Sequence, residues 1–145
     1  MLPGRGFNEL DLGDRFEDSM TLTETHIVLG AGLFGDFNPM HINQQFAEKS
    51  RYGGRIAHGY LTSNVMAAQL GMVIAGTGIA YMEHAIRFTA PVRPGDTLTV
   101  AWTVAKKDAK PKHDGGIIGF TGTCTNQEGV QVADADAKIL VRNNG

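Results

Sequence analysis

Hydrophobic and polar positions follow different periods in the two halves of the chain. Between Gly59 and Ala75 the sequence is nearly free of charge, and its apolar side chains lie on all sides of a helical wheel, which predicts a buried helix. Polar interruptions at 62–64 and at Gln69 make this seventeen-residue run too short and too polar for a membrane span.

The C-terminal half alternates with a period of two. From Thr97 to Val104 the large apolar residues occupy every second position, which is typical of a strand with one buried and one exposed face. Similar patterns predict strands at about 83–89, 117–125 and 130–141, separated by turn-forming residues. Residues 21–29 fit either another strand or a strand that runs into a short helix, and a further short helix is predicted from Ile42 to Lys49.

This order of elements predicts an α+β domain. Consecutive strands joined by short turns form antiparallel neighbours most simply. The buried face of such a sheet must be covered, and the helix at 59–75 is the element apolar enough to cover it. We therefore expect a curved antiparallel sheet wrapped around one long central helix. The prediction is a single domain over residues 1–145, with its core at about 12–141.

Composition narrows the class of partner. The chain has 145 residues and a formal charge of −2, without the basic stripe that nucleic acid or an anionic membrane surface would require. Its one cysteine, Cys124, cannot form an intrachain disulfide, and its Cys and His residues lack zinc-site spacing. Residues 1–14 lack the pattern of a signal peptide. The sequence predicts a cytoplasmic protein that binds a small molecule and holds no metal.

One short segment places a carboxylate and an imidazole, Asp36 and His41, five residues apart around Pro39. Proline fixes its own φ and disfavours helix in the preceding residue, so Asn38 should be extended and the two groups can lie on either side of a bend. Both can then contact one water molecule, as proton transfer requires. A plainer interpretation is that Asp36 or Asn38 caps the following helix, with His41 exposed in its first turn.

A second candidate lies where the central helix begins, at His58 and Gly59. The first N–H groups of a helix have no partner inside it and carry the positive end of its dipole. A glycine there lets a carbonyl oxygen approach closely, which is the geometry of an oxyanion hole. The alternative is that Gly59 is a packing or turn glycine and His58 an ordinary residue of the cap region.

Three blocks, at 35–41, 56–61 and 86–96, together resemble the MaoC-like dehydratases, and most closely the (R)-specific enoyl-CoA hydratases. They occur in the family's order, and the eighteen-residue step from His41 to Gly59 fits the family's spacing. The likeness covers about Leu12 to Val141 and implies the hot-dog fold, in agreement with the architecture predicted from periodicity. Tyr60 stands where the family often has methionine, which puts the preferred acyl length in doubt.

The resemblance implies a hydro-lyase of fatty acid metabolism, which reversibly adds water to a trans-2-enoyl-CoA to give the (R)-3-hydroxyacyl-CoA. Asp36 and His41 would activate the water, and the Gly59 N–H would form the oxyanion hole. The residues expected to bind or orient the substrate are Asn38, His58, Met66 and Leu70.

The family likeness also implies partners. The expected partner is an acyl-CoA thioester, and no separate cofactor is expected, because CoA is part of the substrate. A single unit would leave a sheet edge open and its cleft half built, so a homodimer or a higher homo-oligomer is expected. The sequence offers five candidate cations for the CoA phosphates and no basis for choosing among them: Arg51, Arg55, Arg87, Arg93 and Lys106.

Two other functions fit the same fold. An acyl-CoA thioesterase would commonly place a lone carboxylate on or near the central helix, and residues 60–75 contain none. A non-catalytic acyl-CoA-binding module would be favoured by the loss of Asp36 or His41, and both are present. The sequence therefore favours the hydro-lyase, with acyl length, the choice of CoA or acyl-carrier protein and the physiological direction left open.

Overall fold

Five antiparallel strands form one sheet in the computed structural model, which describes residues 4–145. Their order across the sheet is β1-β3-β4-β5-β2, so β1 and β2 are its edges. The strands are β1 (Arg15–Thr21), β2 (Gly78–Phe88), β3 (Thr97–Lys110), β4 (Gly115–Thr125) and β5 (Gln131–Arg142). Between β1 and β2 come four helices, α1 (Glu24–Phe34), α2 (Pro39–Ile42), α3 (Gln44–Glu48) and α4 (Gly59–Val73).

The period of two in the C-terminal half is confirmed in strand β3. Its alternate residues Leu98, Val100, Trp102 and Val104 are buried, and they belong to the main hydrophobic core. The residues between them are half-buried, as expected for a strand that shows one face to the core.

Helix α4 packs on this core through residues spaced four apart. Thr62, Met66 and Leu70 are buried, and four-residue spacing places them on one face of the helix. The indole N–H of Trp102 donates to the Met66 carbonyl over 2.9 Å, which joins the helix to the centre of the sheet. The predicted α+β arrangement of a long helix against an antiparallel sheet is confirmed. The described helices of residues 4–145 include none with the length and hydropathy needed to cross a membrane.

The expectation that the central helix is buried on all sides is wrong for a single chain. Tyr60 is 72% exposed and Met72 is 63% exposed, because the sheet covers one face of α4 and leaves the other open. An apolar run therefore does not fix how many sides of a helix its own chain covers.

Several element boundaries differ from the predicted ones. Residues 21–29 end strand β1 and continue into helix α1, which is the second of the two predicted alternatives. The helix predicted from Ile42 to Lys49 is divided into α2 and α3, because Asn43 has extended backbone angles (φ −114°, ψ 103°) and its side chain caps α3. Strand β2 begins at Gly78, ahead of the predicted start near Glu83.

Candidate active site

The loop that carries Asp36 begins where helix α1 ends. Gly35 adopts the left-handed conformation (φ 73°) and its N–H donates to Ala31, which is the usual helix ending at glycine. The Asp36 carboxylate then accepts the Asn38 N–H over 3.1 Å, and the Asn38 side chain accepts the Met40 N–H over 3.1 Å. Asn38 is extended (φ −53°, ψ 129°), as predicted from Pro39. Asn38 therefore caps α2, and the same contacts orient the loop.

Asp36 and His41 lie together across this bend. The Asp36 Oδ2 atom is 3.8 Å from His41 Nε2, which is too long for a direct hydrogen bond and short enough for both atoms to contact one water. The Asp36 side chain is 47% exposed, whereas that of His41 is only 13% exposed. His41 is thus more buried than the capping interpretation expects.

A backbone carbonyl sets the tautomer of His41. Its Nδ1 atom lies 2.7 Å from the Ile56 carbonyl oxygen. Because a carbonyl only accepts hydrogen bonds, Nδ1 carries the hydrogen and donates it. In the neutral ring, the Nε2 lone pair then faces the side of Asp36 and is available to accept a proton.

His58 is the N-cap residue of α4 and is 1% exposed. Its Nε2–H donates to the Asp36 carbonyl over 2.9 Å. Its ring centroid lies 3.9 Å from that of His41, with the planes 32° apart, and 5.6 Å from that of Phe34 in an edge-to-face contact. Among residues 4–145, nothing hydrogen-bonds the buried Nδ1 atom of His58.

Gly59 is the first residue of α4, so its N–H has no partner inside the helix. A Cβ atom added there would lie 2.9 Å from Cζ of Phe88 and 3.1 Å from its Cε2. The ring occupies the space of a side chain, and only glycine fits without a shift. Its predicted role as an oxyanion donor depends on what this amide faces.

A cleft of about 460 Å³ joins His41 to Gly59. The polar residues in its lining include His41 on α2, Arg51 and Tyr52 on the loop after α3, and Thr62 on α4. A mostly apolar wall is formed by the end of β2 and the turn that follows. Six of the lining residues are His41, Arg51, Tyr52, Gly59, Thr62 and Phe88. His41 and Gly59, the residue that carries the first amide of α4, therefore line one cleft.

The four residues predicted to bind substrate do not line the cleft. Met66 and Leu70 are fully buried in the core and are not part of the cleft lining. His58 is also absent from that lining, and Asn38 contacts the loop backbone. The roles of these residues in binding stay predictions. Sequence reasoning did not single out Tyr52, Thr62 or Phe88 as cleft residues. None of them carries a charge, and Phe88 entered only as part of the family block at 86–96.

The structure separates the candidate cations. Arg51 lines the cleft. Arg55 is 2.6 Å from Glu24, and Arg87 pairs with Asp134 on the neighbouring strand. These two arginines have carboxylate partners within the chain, so Arg51 is the best-placed cation of the three for a substrate in the cleft.

A metal ion could be held by Asp36, His41 and His58, which each offer one donor atom within 4.8 Å of the others. Each imidazole donates one ring N–H to a backbone carbonyl, at Ile56 and at Asp36, which leaves one nitrogen of each ring with a free lone pair. The absence of a metal stays a prediction.

Comparison with known proteins identifies the family. Residues 8–119 match the family described as the MaoC like domain. The chain is 34% identical over 139 residues to the (R)-specific enoyl-CoA hydratase of Rhodospirillum rubrum, which covers 96% of this chain and 93% of that protein. It is 35% identical over 100 residues to the 3-hydroxybutyryl-CoA dehydratase of Methylorubrum extorquens, covering 69% of this chain and 64% of that one.

A solved structure gives the same result for the fold. The unliganded R-hydratase PhaJ1 from Pseudomonas aeruginosa superposes with a TM-score of 0.87 at 32% identity, covering 97% of this chain and 88% of that one. This similarity confirms the predicted hot-dog fold. Sequence, fold and comparison agree that the chain belongs to the MaoC-like dehydratase family.

Proposed function

We propose that this protein is an (R)-specific enoyl-CoA hydratase, a hydro-lyase that reversibly adds water to a trans-2-enoyl-CoA to give the (R)-3-hydroxyacyl-CoA. The observation that carries the proposal is that His41 and Gly59 line one cleft, with the Asp36 carboxylate 3.8 Å from His41 Nε2. The names of the relatives support it, since both describe hydration or dehydration of acyl-CoA thioesters. We place the reaction in fatty acid metabolism.

The proposed chemistry begins with a water held between Asp36 and His41. The Nε2 atom of His41 accepts a proton from the water, and the hydroxyl forms a bond to C3 of the substrate. The electrons of the C2–C3 double bond move toward the thioester, whose oxygen becomes an enolate. The Gly59 N–H, at the positive end of the α4 dipole, donates to that oxygen.

The second half of the reaction returns a proton from the Asp36/His41 pair to C2, and the enolate collapses to the thioester. The reaction adds one water in total and exchanges no electrons with an external oxidant or reductant. We therefore propose that no cofactor or metal takes part. In other enzymes, the loss of one oxyanion donor costs about 2.7–4 kcal/mol, which sets the scale for the Gly59 contribution.

We assign the carrier end of the substrate to the side of the cleft that holds Arg51. A guanidinium group binds phosphate oxygens in a fixed fork geometry, and CoA supplies such oxygens. Asn38 supports the loop, because its side chain holds the Met40 amide while its own N–H holds the Asp36 carboxylate.

A homodimer is proposed from the exposed edge of the sheet. Within residues 4–145, β2 pairs with β5 alone, and its other edge is free. Ile79, Met82 and Phe88 on this strand are 50%, 52% and 52% exposed. Pairing with β2 of a second copy would satisfy the edge and cover apolar surface. Sedimentation should give at least twice the chain mass of 15.6 kDa, and Met82→Glu should shift the protein toward the monomer.

The test of the reaction is hydration of crotonyl-CoA, followed by loss of the enoyl-thioester absorbance and by a free-thiol reagent in parallel. We expect absorbance loss without thiol release, an (R)-alcohol product and no effect of EDTA. Asp36→Asn and His41→Ala should each lower kcat by about 100-fold or more. Asp108→Asn is the matched control, because this exposed carboxylate pairs with Lys110 on β3. Release of thiol would instead identify a thioesterase.

A further inference from the structure

His58 is a buried polar residue that takes part in no step of the proposed reaction. Its side chain is enclosed by protein, with 1% of its surface exposed, so a bound substrate would not touch its ring. Yet the ring contacts both the loop that carries Asp36 and the ring of His41. Its position requires an explanation other than substrate binding.

We propose that His58 is a positioning residue, which fixes the Asp36 loop and the His41 ring relative to the oxyanion donor at the start of α4. The inference rests on the proposed hydratase function. His58 acts through its neighbours, and the reacting atoms touch Asp36, His41 and Gly59 instead.

The chain position of His58 and two contacts of its side chain support this role. The backbone of His58 directly precedes the Gly59 amide. Its side chain donates to the Asp36 carbonyl over 2.9 Å. Its ring stacks on that of His41 with centroids 3.9 Å apart. A histidine ring has only two rotatable side-chain bonds, so these contacts together hold all three groups at a set spacing.

The next hydrogen bonds that attach this segment to the chain before α4 lie further along, where the Met40 carbonyl accepts the Ile56 N–H and the His41 ring donates to the Ile56 carbonyl. The hydrogen bonds of Asn38 and Gly35 are local, to residues of the same loop or of α1. Among residues 4–145, the bond from His58 to Asp36 is the single hydrogen bond between residues 35–38 and the N-cap of helix α4. Loss of that donor would free the placement of the loop against the start of α4.

The buried Nδ1 atom of His58, which has no hydrogen-bond partner among residues 4–145, indicates that the histidine is needed for its Nε2–H donor. A buried acceptor without a hydrogen bond is unfavourable, so an apolar ring would suit a purely structural position between Phe34 and His41. The imidazole brings the Nε2–H that reaches the Asp36 carbonyl, at the expense of an unsatisfied atom on its other side.

The first experiment compares His58→Phe, which keeps a stacking ring and removes the donor, with His58→Gln, whose amide nitrogen reaches to the level of Nε2. We expect His58→Phe to lower kcat for crotonyl-CoA by about 10- to 100-fold, because displacement of about 1 Å has effects of this size. KM should change by less than about threefold, since the cleft lining is unaltered. His58→Gln should recover to within about fivefold of wild type.

Thr77→Val is the matched control for a buried polar residue near the other end of α4. Thr77 is 2% exposed, and its hydroxyl lies 2.6 Å from the Arg5 carbonyl, to which it donates, and 3.0 Å from that of Ile74. This variant should unfold at a lower urea concentration and keep the wild-type kcat. If His58→Phe does not fold, His58→Asn replaces it, because the shorter amide does not extend to the Asp36 carbonyl.

A second readout does not depend on activity. Hydrogen exchange at the amides of residues 36–38 should be faster in His58→Phe than in wild type, and close to wild type in His58→Gln and Thr77→Val. Wild-type kcat and exchange in His58→Phe would overturn the proposal, as would losses that merely follow the folded fraction in both His58→Phe and Thr77→Val. If the wild-type protein hydrates no enoyl-CoA, the proposed function is refuted, and the exchange rates still decide the role of His58.

Discussion

Helix α4 contains two glycines that give a matched test of the oxyanion role, Gly59 at its first position and Gly71 near its end. At Gly59 an added Cβ would lie 2.9 Å from Phe88, well inside the usual contact distance of about 3.5 Å. At Gly71 an added Cβ meets no atom within 4 Å. The same methyl group is therefore obstructed at one position and free at the other.

The two substitutions should have opposite effects. Gly71→Ala should stabilise the protein by about 0.5–1 kcal/mol, because alanine replaces glycine inside a helix, and it should leave kcat unchanged. Gly59→Ala should lower kcat by about 10- to 100-fold, because the Phe88 ring or the start of α4 must shift by about 0.5–1 Å at the reacting centre. Its effect on stability should be small, since Phe88 is half exposed and its ring can move.

The assay is crotonyl-CoA hydration at saturating substrate, with urea unfolding of each variant measured in parallel. Adding Phe88→Leu to Gly59→Ala separates two causes of the lower kcat. Recovery of kcat in the double variant would assign the loss to the displaced Phe88 ring. A kcat that stays low would assign the loss to the methyl group beside the amide. Wild-type kcat in Gly59→Ala, or an equal loss in Gly71→Ala, would contradict the oxyanion assignment.

Three further predictions concern individual side chains. Burial raises the pKa of the Cys124 thiol to about 11, so a thiol reagent at about pH 8 should label the protein only after unfolding. Burial lowers the pKa of His84, so the unfolded state binds the proton more readily and stability should fall as the pH drops below about 6.5. In urea unfolding, the loss of stability at acidic pH should be smaller in His84→Asn, which keeps a polar group near the Tyr81 hydroxyl. Nitrogen NMR should show neutral His41 with its hydrogen on Nδ1, and hydrogen on Nε2 would contradict the contact with Ile56.

The sequence predicted those parts of the fold that depend on local periodicity. The alternation in β3 follows from the pleat of a strand, and the structure buries the residues that it marks. The charge-free run at 59–75 correctly predicts α4, but the exposure of Tyr60 and Met72 depends on how far the sheet reaches around the helix. That extent is a property of tertiary packing, which no window of local sequence contains.

The sequence predicted several residues of the candidate site but not the distances and contacts between them. Pro39 correctly indicates an extended Asn38, and the bend brings Asp36 to 3.8 Å from His41. The contact between His58 and the Asp36 carbonyl joins residues 22 positions apart in the chain, and short-range rules do not reach that far. Arg51 is distinguished from Arg55 and Arg87 by its place in the cleft lining and by the carboxylate partners of the other two, neither of which follows from local sequence.

Main-chain groups hold much of this acid/base pair in place. The Asp36 carboxylate is oriented by the Asn38 N–H, the His41 ring by the Ile56 carbonyl, and the Asp36 backbone by His58. Phe37, between Asp36 and Asn38, is 60% exposed. The geometry of the pair therefore depends on the backbone conformation of the loop, which is set by the left-handed Gly35 and the fixed φ of Pro39. It depends less on the side chain of Phe37. On this reasoning Phe37→Ser should keep most of the hydratase activity, whereas Gly35→Val, which strains the left-handed position, should lose it together with the loop geometry.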